Sequence, residues 1–410
     1  MMREDWIETY LINVCDVLDN LRKPINSGER KRRVEGKAEN ELFPYYGATG
    51  QVGYIDDYLT DGDYILIGED GAPFLNNKNV AYKISGKAWV NNHAHILKPF
   101  FINGYLLHYL NQFQYRDYVT GTTRLKLTQG ALKKIPIKIS PISEQRAIVT
   151  KIENLFASLD KGIDDLKKAQ EQLKIYRQAV LKKAFEGKWD KSNIGALFDF
   201  VGGGTPSKKE KKYWNGNIPW ASVKDIKGNL LKDTIDNISE QGLNNSASNL
   251  AHKGEIILVT RISPGQSIIT DIDTAINQDL KIVQPKSKMS NKFIHYLFRS
   301  IERECVRLSS GTTVLGINLV NLKSIEIPFI KFEEQQQIVK EIESRLSVCD
   351  KVEQSIQEGL EKAEALRQSI LKKAFNGELL SEAEIEKCKQ EADYEPASVL
   401  LERIKEEKNK

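Results

Sequence analysis

The residues best suited to chemistry are basic and aromatic, and their chemistry is contact with a polyanion rather than bond breaking. One group runs Arg22-Lys23, Arg30-Lys31-Arg32-Arg33 and Tyr45-Tyr46. A second runs Lys208-Lys209, Lys211-Lys212, Tyr213-Trp214, then Trp220 and Lys224. Lys and Arg beside aromatic rings and glycine loops suit a phosphate backbone and base edges. A charge run is commonly only a solvated face. Here both groups occupy similar places in the two halves of the chain, which favours DNA. Arg116, Arg124, Arg261 and Arg307 are secondary candidates.

Patterns for catalysis are missing. The chain has no GxxxxGK[ST] phosphate loop, no Asn-Pro-Pro-aromatic methyltransferase motif, no Pro-Asp pair opening a nuclease site and no GxSxG. His93 and His95 alternate as two ligands on one strand face would. Their counterparts in the second half are Asp279 and Lys281, which argues for a polar surface pair rather than a metal site. Gly68-Glu69-Asp70-Gly71 reads as a turn. No catalytic residue, no metal and no cofactor bound by this chain are expected.

The elements that position these residues form a tandem repeat. Glu144–Gly187 (EQRAIVTKIENLFASLDK…RQAVLKKAFEG) matches Glu334–Gly377 (EQQQIVKEIESRLSVCDK…RQSILKKAFNG) without a gap at an offset of 190. Gly121-Thr122-Thr123 matches Gly311-Thr312-Thr313 in the same register, and Leu132, Ile135 and Ile137 match Leu322, Ile325 and Ile327. Upstream the likeness persists with insertions: Gly62–Leu66 resembles Gly254–Leu258, and Val90-Asn91 resembles Ile276-Asn277. Each half is therefore a variable front and a constrained back.

The backs carry apolar steps of three and four. The seam is Ile148, Ile152, Leu155, Leu159, Leu166, Leu173 and Val180 in the first, and Ile338, Ile342, Cys349, Ile356, Leu366 and Ile370 in the second. Pro141 and Ser143 begin the first helix, and Gly187 and Gly377 end the two. Each helix is then about 45 residues, or roughly 65–70 Å long. Such a helix cannot bury its stripe on its own small front, so each back pairs with the other. A pseudo-twofold relation between the halves makes the pair antiparallel. The fronts carry short strands, such as Tyr64–Ile67 and Glu255–Val259, and apolar helices at Tyr105–Leu110 and Phe293–Phe298. The fold class is α+β, with two homologous globular domains joined by two long coiled-coil helices. The expected boundaries are 1–141, 142–188, 189–331 and 332–377, followed by a charged helical tail at 378–410 that folds on a partner or is solvated.

The chain has 410 residues, 28% charged, with a net charge of +4, so DNA binding would require basic residues gathered on one face. No run of about eighteen apolar residues could cross a membrane. MMREDWIETY is no signal peptide, and the four cysteines stand far apart with no CxxC, so a reducing cytoplasm is the expected setting.

Together these features resemble the specificity subunit of a type I restriction–modification enzyme. The resemblance spans essentially the whole chain. It rests on the two LKKAF(E/N)G helices, the GTT loops, FPYYGATG, GGGTPS…YWNGNIPW and the closing EPASVLLERI. It implies two target recognition domains, each reading half of a split, asymmetric site in double-stranded DNA. The helices would set the spacer and dock two modification (methyltransferase) subunits. Those partners would use S-adenosylmethionine, and two restriction/translocase subunits using ATP and Mg could join, in a bacterial or archaeal cytoplasm. The resemblance also carries DNA contact to Thr122, Thr123, Thr312 and Thr313, and to the loops holding Tyr46, Thr49, Thr205 and Ser207. Front one departs from GGGTPS, having Leu21-Arg22-Lys23-Pro24 in its place. The rival reading is a non-catalytic coiled-coil scaffold with two protein-binding heads.

Overall fold

The computed structural model describes residues 3–76 and 78–409. Contacts divide the chain into two compact units: Met1–Asp165 with Gly359–Lys410, and Leu166–Glu358. Each cut falls inside a long helix, so each unit owns the first half of one helix and the second half of the other.

The first unit holds two four-stranded sheets. One is antiparallel, in the order Cys15–Val17, Ala94–Pro99, Tyr64–Gly68, Ala81–Ile84. The other runs Gly50–Ile55, Phe43–Gly47, Lys87–Val90, Thr60–Asp61, with a parallel pairing of Tyr45 to Trp89 at its centre. The second unit repeats this plan. Its first sheet is Phe198–Gly202, Leu280–Pro285, Ile256–Val259, Ser267–Thr270, Leu230–Leu231. Its second is Asp236–Ile238, Trp214–Ala221, Thr274–Ile276, Leu250–Ala251, with Trp220 parallel to Ala275. A separate two-stranded ribbon, Ile7–Tyr10 with Pro136–Ile139 or Asp190–Asn193 with Glu326–Phe329, ties each front to the foot of a long helix.

The expected α+β class and the strands and apolar helices of the fronts are all present. Asn103–Gln112 buries Tyr105, Leu106, Tyr109 and Leu110 against its sheet, and Asn291–Ser300 buries Phe293 through Phe298. Burying each such side chain stabilises the fold by roughly 1.5–3 kcal/mol.

The long helices are Ile142–Ala184 and Phe332–Phe375. In the first unit Lys138 reaches the Phe375 carbonyl at 3.3 Å, while Asp160 pairs with Arg367. In the second Arg177 bridges Asp350 at 2.7 Å and Glu353 at 2.8 Å, whereas Val180 and Ala184 line a groove with Ile338 and Glu341. Rising numbers on one helix meet falling numbers on the other, so the helices run antiparallel in each unit. Ile148, Ile152, Val180, Ile342, Cys349, Ile356 and Ile370 are buried, and Leu159, Leu166, Leu173 and Ile338 are half-buried. Two seam positions are corrected: Leu155 is 37% and Leu366 50% exposed. A straight 3.6-residue helix drifts away from a strict heptad stripe, so residues that fit the spacing can still face outward.

The C-terminal segment corrects a second expectation. Residues 378–409 pack on their own unit rather than standing free. Glu382–Lys389, capped by the Ser381 side chain, buries Cys388, and Ala397–Lys408 buries Ala397, Leu400, Leu401 and Ile404 in the unit's core. Glu384 pairs with Lys151 at 2.6 Å, and Arg146 clamps Glu391 and Asp393 at 2.6 and 2.7 Å. Lys408 donates to the carbonyls of Ile12 and Cys15 at 2.8 and 2.9 Å. The charge that suggests a solvated tail sits on the outer face of two amphipathic helices.

Candidate nucleic-acid interface

Each front projects a tight loop closed by a pair of backbone bonds. Thr120 and Lys126 exchange N–H···O bonds of 2.9 and 2.8 Å, and Ser310 and Gly316 do so at 2.9 Å each way. Gly121 and Gly311 sit at φ +96° and +126°, and a Cβ there would lie 2.4 and 2.1 Å from the Arg124 and Val314 carbonyl oxygens. The glycine of each GTT is thus required by the turn. Thr122 and Thr123, like Thr312 and Thr313, are exposed at the tip.

A second turn supports each loop. Gly71 N–H donates to the Leu125 carbonyl at 3.1 Å, and Ile262 N–H donates to the Leu315 carbonyl at 2.7 Å. Gly68-Glu69-Asp70-Gly71 therefore corresponds to Val259-Thr260-Arg261-Ile262, an equivalence without one identical residue. The ion pair behind the turns is reversed between the fronts. In the first, Asp70 takes the His93 ring at 2.6 Å and Arg124 at 3.0 Å. In the second, Arg261 is held by Asp279 at 3.1 Å. His95 is fully buried between Asp19 (2.7 Å) and the Leu127 carbonyl (2.8 Å). Burial pushes the Asp19 carboxyl up, but its bonds from His95 and Gln129 and the Arg22 charge outweigh that and hold it below its usual range. Each histidine has its own acid, and no cluster suited to a metal occurs among the described residues.

The basic cluster of front one splits by role. Arg30 lies 4.8 Å over the Tyr45 ring and donates to the Val52 carbonyl, while Arg33 lies 5.0 Å over Trp89 and pairs with Asp56 at 2.6 Å. Arg22 is tied to Glu69 and Asp19 at 2.5 and 3.1 Å. Tyr45 is buried, its hydroxyl donating to the Ile25 carbonyl at 3.3 Å, and it cannot meet DNA. These side chains build the domain. Lys23, Lys31, Arg32 and Thr49 are exposed, and Tyr46 is half-buried against Tyr82.

Front two presents more open charge. Lys208, Lys209, Lys211 and Lys212 are exposed on and around the turn Lys211–Tyr213, and Lys212 lies 5.6 Å from the Tyr213 ring. Trp214 stacks edge-on against Trp220 at 5.2 Å and donates to the Ser207 carbonyl at 3.2 Å. Thr205 is bonded to Gln278. Lys224 is exposed in a shallow groove with Lys227 and Lys232. Among the secondary arginines, Arg116 is exposed and Arg307 is held by Glu304 at 2.9 Å.

Two glycines of GGGTPS, Gly203 and Gly204, pack tightly against backbone. A Cβ on Gly203 would lie 2.2 Å from the Asn277 carbonyl oxygen, and one on Gly204 would lie 2.6 Å from Ala247. Gly204 N–H bonds Ile276 O at 3.0 Å, just as Lys23 N–H bonds Val90 O at 3.0 Å, so Leu21–Pro24 does occupy the GGGT position. One carbonyl there is held by an indole in both fronts: Trp89 Nε1 donates to Lys23 O at 2.8 Å, and Trp220 Nε1 to Gly204 O at 3.1 Å. The two tryptophans come from different strands.

Comparison with known proteins places this arrangement. A family model described as "Type I restriction modification DNA specificity domain" matches twice, over residues 3–168 and 186–362. A putative type I restriction enzyme specificity subunit of Haemophilus influenzae is 28% identical over 391 residues, covering 90% of this chain and 94% of the relative. The EcoR124I/EcoR124II specificity subunit of Escherichia coli is 28% identical over 276 residues, covering 64% and 67%. Among solved structures, a chain from a type I restriction–modification complex superposes with a TM-score of 0.69 at 18% identity, over 92% of this chain and all of that one. The HsdS subunit of Thermoanaerobacter tengcongensis gives 0.53 at 18% identity, over 92% and 98%. With both halves matched, the chain belongs to the family of type I restriction–modification DNA specificity subunits, the non-catalytic recognition subunits of these enzymes.

Proposed function

We propose that each front reads one half of a split, asymmetric site in duplex DNA, and that the antiparallel helices set the unread spacer between the halves. The observation that carries this reading is the pair of GTT-tipped loops. With their supporting turns they share one backbone plan, yet display Asp70, Gly71 and Arg124 in one front and Arg261, Ile262 and Val314 in the other. Equal scaffolds with unequal side chains suit two different half-sites. Exposed Lys208, Lys209 and Lys211 beside Trp214, and Lys31 and Arg32 on the helix Ser27–Val34, would add phosphate contacts that position the reading loops.

The long helices supply docking surface for modification subunits. Apolar side chains stay exposed along them: Ile175, Tyr176 and Val348 in one unit, Leu155 and Leu366 in the other. Such residues suit burial by a protein partner. Repeated helices fit two copies of one modification subunit. S-adenosylmethionine would be used by those copies, while ATP and Mg would serve any restriction/translocase subunits that join. The bland scaffold reading lacks a use for two reading loops that differ only in side chains.

The test is a map of adenine methylation across the genome, with and without this gene, in cells that keep the type I modification (methyltransferase) gene. The expected result is loss of one asymmetric motif with a fixed gap. A map unchanged by deletion would refute the reading.

A further inference from the structure

One residue beside the second GTT loop is out of keeping with its backbone. Ile262 has φ +74°, a left-handed conformation that β-branched residues rarely adopt. Its side chain is 56% exposed, so no core contact explains it. The equivalent residue of the first front, with the same supporting bond to the loop, is Gly71 at φ +73°. Glycine is the residue this turn calls for. Isoleucine there costs conformational free energy and leaves an apolar side chain in water. Strain of this kind concentrates at functional positions.

The neighbourhood indicates a ligand. Val314, the fourth residue of the GTT loop, is 40% exposed beside Ile262, whose N–H bonds the next residue, Leu315. Thr312 and Thr313 stand on the same loop, and the Arg261 guanidinium is fixed by Asp279 yet half exposed. In the first front the counterpart of Val314 is Arg124. Its guanidinium Nε lies 3.3 Å from where a Gly71 Cβ would be, so it occupies the space that Ile262 fills. One front thus offers a cation at this spot and the other an apolar pair.

We infer that Ile262, with Val314, is a specificity-determining contact that reads the 5-methyl group of a thymine in the second half-site, an inference that rests on the DNA-reading role proposed above. The thymine methyl is the apolar feature of the major-groove edge, and apolar side chains read it by contact. Arg124, placed likewise in the first front, suits a guanine edge, so the two half-sites should differ at the corresponding position.

The test uses the full chain purified with its modification subunits and a library of random-sequence duplexes, with bound molecules sequenced. The wild-type chain should select a two-part motif. Ile262→Gly, which restores the residue of the first front, should leave the first half unchanged and lower discrimination at one thymine of the second about tenfold. Ile262→Asn, which tolerates the same φ, should do likewise, with folding of both variants checked by thermal melting. Replacing that thymine by deoxyuridine removes only the methyl. It should weaken wild-type binding by a similar factor and leave Ile262→Gly unaffected. If uracil binds wild type as well as thymine does, or if both variants keep the full motif, the assignment of Ile262 is wrong while the reading role stands. If the wild-type complex selects no motif, the reading role fails and this inference with it.

Discussion

Replacing Ile404 by alanine asks whether the C-terminal helix is part of the first unit's core. Ile404 is fully buried and packs in the cluster that includes Leu11, Val14, Leu400 and Leu401. The helix touches the N-terminal segment directly, where Lys408 donates to two carbonyls and pairs with Asp16 at 3.0 Å. Truncation removes most of a buried aliphatic side chain and leaves a cavity, which costs about 2–5 kcal/mol in a packed core. In a domain of this size each kcal/mol corresponds to roughly 2–4 °C, so melting of the first unit should fall by about 4–20 °C. Val399→Ala, on the same helix but 51% exposed, should change stability by less than about 0.5 kcal/mol. Urea unfolding followed by fluorescence would measure both variants against wild type. Equal, small effects of the two substitutions would refute the placement of this helix in the core and return the segment to a solvated tail.

Other consequences are as direct. Lys211→Ala with Lys212→Ala should weaken DNA binding and lower the slope of log affinity against log salt by about 1–2, since each lost phosphate contact removes roughly 0.9; an unchanged slope would exclude both lysines. Leu166→Asp, in the half-buried seam, should disrupt helix pairing and assembly with modification subunits, whereas Leu366→Asp should leave helix pairing intact, as circular dichroism and gel filtration would show. Equal effects would contradict the seam as described. His295 is buried, bonded to Ser267 at 3.1 Å, and burial together with the Arg299 charge lowers it to about 4. The unfolded chain takes up that proton first as pH falls below about 6.5, so this contribution to stability is complete above 6.5 and is lost towards pH 4, at up to ~1.4 kcal/mol per pH unit. His295→Gln should flatten that part of the curve, and a wild-type-minus-variant difference independent of pH would show that His295 does not titrate in this way.

Much of the architecture was legible because the repeat is written in side-chain type. The matched backs fixed two long helices, and the GTT and Leu-x-x-Ile-x-Ile matches fixed where each front rejoins its helix. What stayed hidden depends on contacts across the chain. Arg30 and Arg33 read as free charge, yet Tyr45, Trp89 and Asp56 fold onto them from outside their helix. The equivalence of Asp70-Gly71 with Arg261-Ile262 has no identity to reveal it and emerges only from shared hydrogen bonds. The C-terminal segment did carry a signal. Ala397, Leu400, Leu401 and Ile404 fall at i, i+3, i+4 and i+7, the stripe of a helix that packs on something, and the surrounding charge obscured it.

The indole that holds the Lys23 or Gly204 carbonyl constrains how the fronts can diverge. In front one it is Trp89, beside Tyr45; in front two it is Trp220, opposite Ala275 and edge-on to Trp214. Moving from one solution to the other in single steps is obstructed. Tyrosine at 220 alone would take the indole donor from the Gly204 carbonyl, which keeps only the Ser248 hydroxyl, at about 1 kcal/mol, and tryptophan at 275 alone would overfill the site by about 1–3 kcal/mol. Each change is costly without the other. This epistasis makes each front an evolutionary cassette: its inner residues are inherited as a set, while substitutions on its outward loops remain open to selection one at a time.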